Sequence, residues 1–176
     1  AAQATAEGRF ERELITVAIK DDERNDTDER ITADEGIRPD SSVETLANLK
    51  PAFRPENGKV TAGNSSQITD GASGVLMMSE AKNFPEIAAF YQQEVIEPIT
   101  MLTGPIPATR MALERGGLTL DDIDIIEINE AFASVPLAWA KELDADMTKV
   151  NVNGGAIALG HPLGASGAKL MATLLN

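Results

Sequence analysis

Ile123-Asp124-Ile125-Ile126-Glu127-Ile128-Asn129-Glu130-Ala131-Phe132 runs from an apolar, β-branched stretch into a polar pair and an aromatic. Isoleucine suits a pleated, half-buried surface, so residues 123–128 predict a strand. From about 130 to 143 the apolar side chains recur at helical spacing, so the strand hands over to a helix. Outward from there, residues 150–152 predict a second strand and residues 166–175 a final helix. Upstream, Pro105 and Pro107 open a helix to about Arg115, and Gly116-Gly117 closes it in the proline-first, glycine-last order. Residues 74–78, Gly-Val-Leu-Met-Met, read as a buried strand. Strand and helix in alternation predict an α/β protein, a layered sheet covered by helices.

The amino-terminal part is less regular. Residues 11–19 alternate weakly, as a short strand does. Residues 21–29, Asp-Asp-Glu-Arg-Asn-Asp-Thr-Asp-Glu, imitate an oxygen-ligand calcium loop, but the glycine and closing glutamate of an EF-hand are out of register. A solvated acidic turn is the expectation, and no metal site is assigned. Val43, Leu46 and Ala47 then fall at helical spacing behind Ser41 or Ser42, either of which can cap, and Pro51 stops that helix.

With 43% hydrophobic residues in 176, the chain has apolar material for one ordinary core. Its 28 acidic side chains against 15 basic ones give a net charge of −13, which argues against gripping a nucleic-acid backbone. A phosphate-bearing ligand would need a local cation. The chain contains no cysteine, which excludes disulfides, thiolate metal sites and a cysteine nucleophile within it. The longest apolar stretches, such as 154–159, fall far short of the roughly 20 residues that span a bilayer. The start of the chain lacks a basic, apolar signal pattern. These features predict a soluble, cytoplasmic protein with no membrane or nucleic-acid partner.

Two segments depart from a bland core. Asn129 stands at the carboxyl end of an apolar strand, where open α/β sheets bind ligands. Its amide can cap the following helix or hold a water or carbonyl oxygen, and the two roles are compatible. The second segment is residues 153–167, Asn-Gly-Gly-Ala-Ile-Ala-Leu-Gly-His-Pro-Leu-Gly-Ala-Ser-Gly, whose glycines surround the chain's one histidine. Pro162 restricts the backbone of His161. An imidazole there can act as base, acid or hydrogen-bond donor near neutrality.

Asn129-Glu130-Ala131-Phe132 and Gly160-His161-Pro162 resemble the paired NEAF and GHP motifs of the thiolase family, and residues 151–167 resemble that family's signature almost residue for residue. Residues 61–72 are similar to the segment that closes the family's CoA-binding loop region, and residues 104–110 to its next helix. The likeness covers nearly the whole chain. It implies a thiolase-like layered α/β fold and acyl transfer between CoA thioesters, with coenzyme A as substrate and no covalently bound cofactor. His161 would activate a cysteine and bind a thioester oxygen, and Asn129 would hold the water completing that oxyanion hole. By the same resemblance Ser66 would meet the pantetheine arm, Phe53, Met101, Ala131 and Phe132 would wall its tunnel, and Arg38 would lie beside the CoA nucleotide. Full-length members are expected to be homo-oligomers.

The chain also departs from the family. Neither catalytic cysteine is present. By resemblance the first belongs to a region preceding Ala1 and the second to a Cys-x-Gly-Gly-Gly turn following Asn176, so the sequence looks cut at both ends. Residues 1 to about 100 then form a remnant of the loop domain and amino-terminal half. Residues 101–176 form the carboxyl-terminal half without its last segment. Residues 81–100 are shorter than the family's strand-forming stretch, and 86–95 read as helix. An isolated chain of this kind is expected to be inactive. Its rival is a non-catalytic acyl-CoA-binding module, and a more distant one is a hydrolase using Ser166 or Ser73 with His161, although neither serine sits in a five-residue nucleophile elbow.

Overall fold

The computed structural model describes residues 1–74 and 102–176. All but Gly74 of the strand expected at 74–78, the helix expected at 86–95 and Met101 lie outside them. The first element is helix α1 (Ala2–Ala6), after which the chain coils through turns in which Glu13 and Leu14 donate back to the Phe10 carbonyl at 2.9 and 3.0 Å. Those turns and the irregular backbone after them occupy residues 11–16 of the span 11–19 expected to be a strand. The strand itself, β1 (Val17–Lys20), starts later and pairs antiparallel with β2 (Asp26–Ile31).

The acidic run makes the tip of this hairpin. Asp21 Oδ1 accepts the backbone N–H groups of Glu23 and Asn25 at 2.9 and 2.8 Å, and Arg24 takes a left-handed conformation (φ 68°). Aspartate is suited to such a turn because its carboxylate substitutes for a backbone acceptor. Lys20 and Asp26, opposite one another, close the base of the turn as an ion pair.

Helix α2 (Val43–Ala47) begins at a reciprocal cap: Ser42 Oγ accepts from Thr45 N at 3.2 Å while Thr45 Oγ1 accepts from Ser42 N at 2.9 Å. Helix α3 (Pro105–Gly116) ends as its sequence requires, because Gly117 enters the left-handed region (φ 64°) and lets Leu118 N reach the Leu113 carbonyl at 3.0 Å.

The central strands are where expectation and structure part. Residues 123–128 and 150–152 touch through one parallel bridge, Ile126 with Val150, and form no longer ladder among the described residues. Ile126 N donates to the Lys149 carbonyl at 2.9 Å and Asn151 N to the Ile126 carbonyl at 2.8 Å. Asn151 then turns left-handed (φ 48°), which takes its backbone out of register. Its carboxamide continues the pairing instead: Oδ1 accepts Ile128 N and Nδ2 donates to Ile128 O, both at 2.9 Å.

Helix α4 (Ser134–Leu143) starts four residues later than the periodicity suggests. Residues 131–133 are committed elsewhere, through an antiparallel bridge of Phe132 with Ser65 and backbone bonds from Ala133 N to Asn64 O and from Ser66 N to Ala131 O. Asn129 therefore caps no helix. The buried face of α4, Val135, Pro136, Trp139 and Ala140, covers the bridge, and Trp139 forms a core with Ile128, Ala140 and Val150. Trp139 Nε1 donates to Thr109 Oγ1 at 2.9 Å, tying α4 to α3. Helices α5 (Ala156–Leu159) and α6 (Ser166–Leu175) follow. The amino-terminal segment packs back on them: Arg9 reaches Asn153 Oδ1 at 3.2 Å, and Thr173 Oγ1 donates to Glu13 Oε2 at 2.8 Å. No helix among the described residues is long and apolar enough to cross a membrane.

Candidate active site

Three loops meet beside the Ile126–Val150 bridge. The first carries Asn129 to Ala133, the second His161 and Pro162, and between them runs the segment 64–67. Ala133 N donates to the Asn64 carbonyl at 2.9 Å and Ser66 N to the Ala131 carbonyl at 3.0 Å, which fixes the segment against the first loop. His161 N donates to the Gln67 carbonyl at 3.1 Å, which fixes it against the second. Gln67 Nε2 adds bonds to the Gly36 carbonyl at 3.0 Å and the Ala158 carbonyl at 3.4 Å. The segment is thus bonded on both flanks.

This arrangement brings Asn129 Nδ2 within 3.3 Å of His161 Nε2, although 32 residues separate them. On the other side of the ring, His161 Nδ1 lies 2.6 Å from Ser166 Oγ, which also donates to the Pro162 carbonyl at 3.1 Å. Ser166 is buried at the start of α6, away from any substrate approaching from solvent. Ser73 is exposed and donates to the Ala165 carbonyl at 2.6 Å. Neither hydroxyl is presented as a nucleophile.

Ser66, Ala131, Phe132 and Phe53 adjoin the loop that carries Asn129. Ser66 Oγ donates to the Ala131 carbonyl at 3.2 Å, leaving its lone pairs able to accept. Phe53, largely exposed, packs edge-on against Phe132 with ring centroids 6.3 Å apart. Ser66, Ala131, Phe132 and Phe53 therefore form one continuous surface. Arg38 is exposed on the segment just after Gly36.

The loop that presents His161 is held by a carboxylate whose task no local pattern in the sequence discloses. Glu130 Oε1 accepts from Asn151 Nδ2 at 2.9 Å and Oε2 from Ile157 N at 3.1 Å, which caps α5 from a distant loop. Gly155 makes room for it: a Cβ there would stand 2.1 Å from the Glu130 carboxyl carbon. The glutamate in the motif and the glycine in the run were both visible as unusual residues, but nothing local links them.

Glu127, next to the Ile126–Val150 bridge, is partly buried, and that burial pushes its carboxyl up to about 7 from 4.5, opposed by Lys169 and reinforced by Glu130 and Glu13. Between those two values the folded chain binds more protons than the unfolded one, so this group costs increasing stability as pH rises from about 4.5 to about 7. Glu127→Gln removes the titration. Urea midpoints of variant and parent should be nearly equal at about pH 4 and diverge in the variant's favour towards pH 8. A constant offset across that range would contradict the assignment.

Comparison with known proteins gives this geometry its family. Residues 1–81 match the thiolase amino-terminal domain and residues 82–176 the thiolase carboxyl-terminal domain. The chain belongs to the thiolase family. It is 49% identical over 185 residues to a 3-ketoacyl-CoA thiolase of Saccharophagus degradans, covering 100% of this chain and 47% of that protein. A 3-ketoacyl-CoA thiolase of Marinobacter nauticus is 49% identical over 183 residues, covering 99% and 46%. Among solved structures, the Bacillus anthracis acetyl-CoA acetyltransferase superposes with a TM-score of 0.83 at 38% identity, covering 99% of this chain and 45% of that one. Human mitochondrial 3-ketoacyl-CoA thiolase in complex with CoA superposes with a TM-score of 0.75 at 32% identity, covering 99% and 44%. The fold is thus thiolase-like α/β, and the chain spans about half the length of the relatives it matches.

Proposed function

We propose that these residues form the oxyanion-binding and CoA-facing part of an acyl-CoA C-acyltransferase, one that cleaves a 3-ketoacyl-CoA by thiolysis or runs the reverse condensation. The observation that carries the reading is the approach of Asn129 and His161 across the segment that bears Ser66. Two polar groups converging beside the Ile126–Val150 bridge can hold a developing oxyanion, a role in which one donor contributes about 3 kcal/mol. His161 is the base and donor, and Asn129 holds the water of the oxyanion hole. Ser66, Phe53, Ala131 and Phe132 face the pantetheine arm, with Met101, and Arg38 serves the nucleotide as the local cation in a chain of net charge −13. Residues 1 to about 100 represent the loop domain and amino-terminal half and 101–176 the carboxyl-terminal half. Homo-oligomerisation and a cytoplasmic setting belong to the same proposal.

Covalent acyl transfer needs a thiol nucleophile, and these 176 residues contain none. The chain alone is therefore inactive, a point it shares with the second reading, a non-catalytic acyl-CoA-binding subunit. Titration calorimetry with CoA, alongside a thiolysis assay with acetoacetyl-CoA, tests both. The expected result is measurable CoA affinity without turnover, with affinity reduced several-fold in Arg38→Ala and in Phe53→Ala. Absence of CoA binding would remove both readings. Turnover lost on His161→Ala would demand a nucleophile other than cysteine.

A further inference from the structure

We infer that Ser166 is a positioning residue that holds His161 in the Nδ1–H tautomer, leaving the Nε2 lone pair as the basic nitrogen facing Asn129. The inference deepens the oxyanion-site reading above and rests on it for its catalytic meaning, but its evidence is the direction of one hydrogen-bond chain. The Pro162 carbonyl can only accept, and Ser166 Oγ lies 3.1 Å from it. With the hydroxyl proton directed there, Ser166 Oγ is left as an acceptor, and the group facing it at 2.6 Å is His161 Nδ1. Nδ1 must then carry the ring proton.

The far end of the ring imposes the same answer independently. Asn129 Nδ2 is a donor only, and it stands 3.3 Å from Nε2. A proton on Nε2 would set two donors against each other, whereas a bare Nε2 accepts from the amide. One polarity therefore satisfies every group: Asn129 N–H to Nε2, Nδ1–H to Ser166 Oγ, and Ser166 O–H to Pro162 O. The reverse polarity still satisfies the serine end, where Ser166 O–H would donate to a bare Nδ1 while Pro162 O keeps the Ser166 backbone N–H, but it sets Nε2–H against the Asn129 N–H.

Burial strengthens the arrangement. Ser166 is 7% exposed, so water does not compete for its hydroxyl, and its backbone N–H also donates to Pro162 O at 2.9 Å, which fixes the serine relative to the carbonyl it serves. When Nε2 takes up a proton, the Nδ1–H bond to Ser166 stays as it was. The imidazole becomes a cation without turning, and the new Nε2–H points where the lone pair pointed. An orienting hydrogen bond on one ring nitrogen is the general means by which proteins select the reactivity of the other.

The chain has a single histidine, so nitrogen-15 NMR reads the tautomer without assignment ambiguity. In two-bond proton–nitrogen correlation spectra at a pH where the ring is neutral, Nδ1 should show the shift of a protonated ring nitrogen and Nε2 that of a bare one. Ser166→Ala should lower the ratio of Nδ1–H to Nε2–H forms about tenfold, the equivalent of one net hydrogen bond. Ser166→Thr, which keeps the hydroxyl, should retain the parent pattern. A parent chain in the Nε2–H form overturns the inference, and so does an unchanged ratio in Ser166→Ala. Should Ser166→Ala fail to fold, as read by Trp139 fluorescence, the threonine variant decides, with loss of the Nδ1–H form counting against it. The spectra require no substrate. An Nδ1–H ring in a chain without CoA affinity would sink the functional reading alone, and an Nε2–H ring in a CoA-binding chain would sink this one alone.

Discussion

Gly155→Ala is expected to destabilise the chain by about 3 to 5 kcal/mol, a large share of a small domain's total stability. The backbone at Gly155 (φ −123°, ψ −168°) is open to any residue, so the cost does not come from conformational strain. It comes from the space a methyl group needs. The added carbon would lie 2.1 to 2.4 Å from three atoms of the Glu130 carboxylate, which must leave. Leaving means surrendering the bonds to Asn151 Nδ2 and Ile157 N, each charge-assisted and worth about 1.5 to 3 kcal/mol. The control follows from the same reasoning. In a Glu130→Ala background the bonds are already gone and the space is empty, so adding Gly155→Ala should cost little more. Chemical denaturation of the four proteins in this cycle measures the coupling. Additive effects would mean that the glycine is required for another reason.

The second large effect is self-association. Ile125, Val152 and Leu174 line one recess, and Leu118, Leu120 and Ile123 line a neighbouring one that Ile125 and Leu174 share, so the apolar residues around 118–126 and the end of α6 form a continuous face. Ile125 and Leu174 are each 45% exposed. Several hundred Å2 left in water forfeits on the order of 10 kcal/mol at about 25 cal/mol per Å2, before the cost of association is counted. The purified chain should therefore sediment as concentration-dependent oligomers and bind a hydrophobic dye. Ile125→Lys with Leu174→Asp should reduce both signals together. A dye-silent monomer in the parent chain would show that the face is closed.

Those two effects also mark where the sequence could be read and where it could not. Local chemistry was legible: the serine cap of α2, the proline entry and left-handed Gly117 exit of α3, and the acidic turn all follow from residues that touch their neighbours in the chain. The encounter of Asn129 with His161 was legible because two motifs announced it. The strands were less so. Four isoleucines in residues 123–128 state a preference for extended backbone, but a ladder needs a partner of equal length, and Asn151 turns the partner away after one bridge. The start of α4 was displaced for a similar reason, since residues 131–133 are bonded to residues 64–66, which no pattern within either segment reveals. Nor could spacing disclose that Glu130 fills the place of a missing Cβ at Gly155.

The segment 64–67 gives the site a property that neither loop has alone. It donates through Ser66 to the Asn129 loop and accepts through Gln67 from His161. Neither loop can therefore detach from it without breaking bonds that also define the other's footing. Parting of the loops becomes a single cooperative event whose free energy the three strands of chain hold in common. A ligand that settles on Ser66 and tightens the segment would slow the fluctuations of an imidazole it never touches. By reciprocity, anything that steadies that imidazole would make the surface around Ser66 a better receptor.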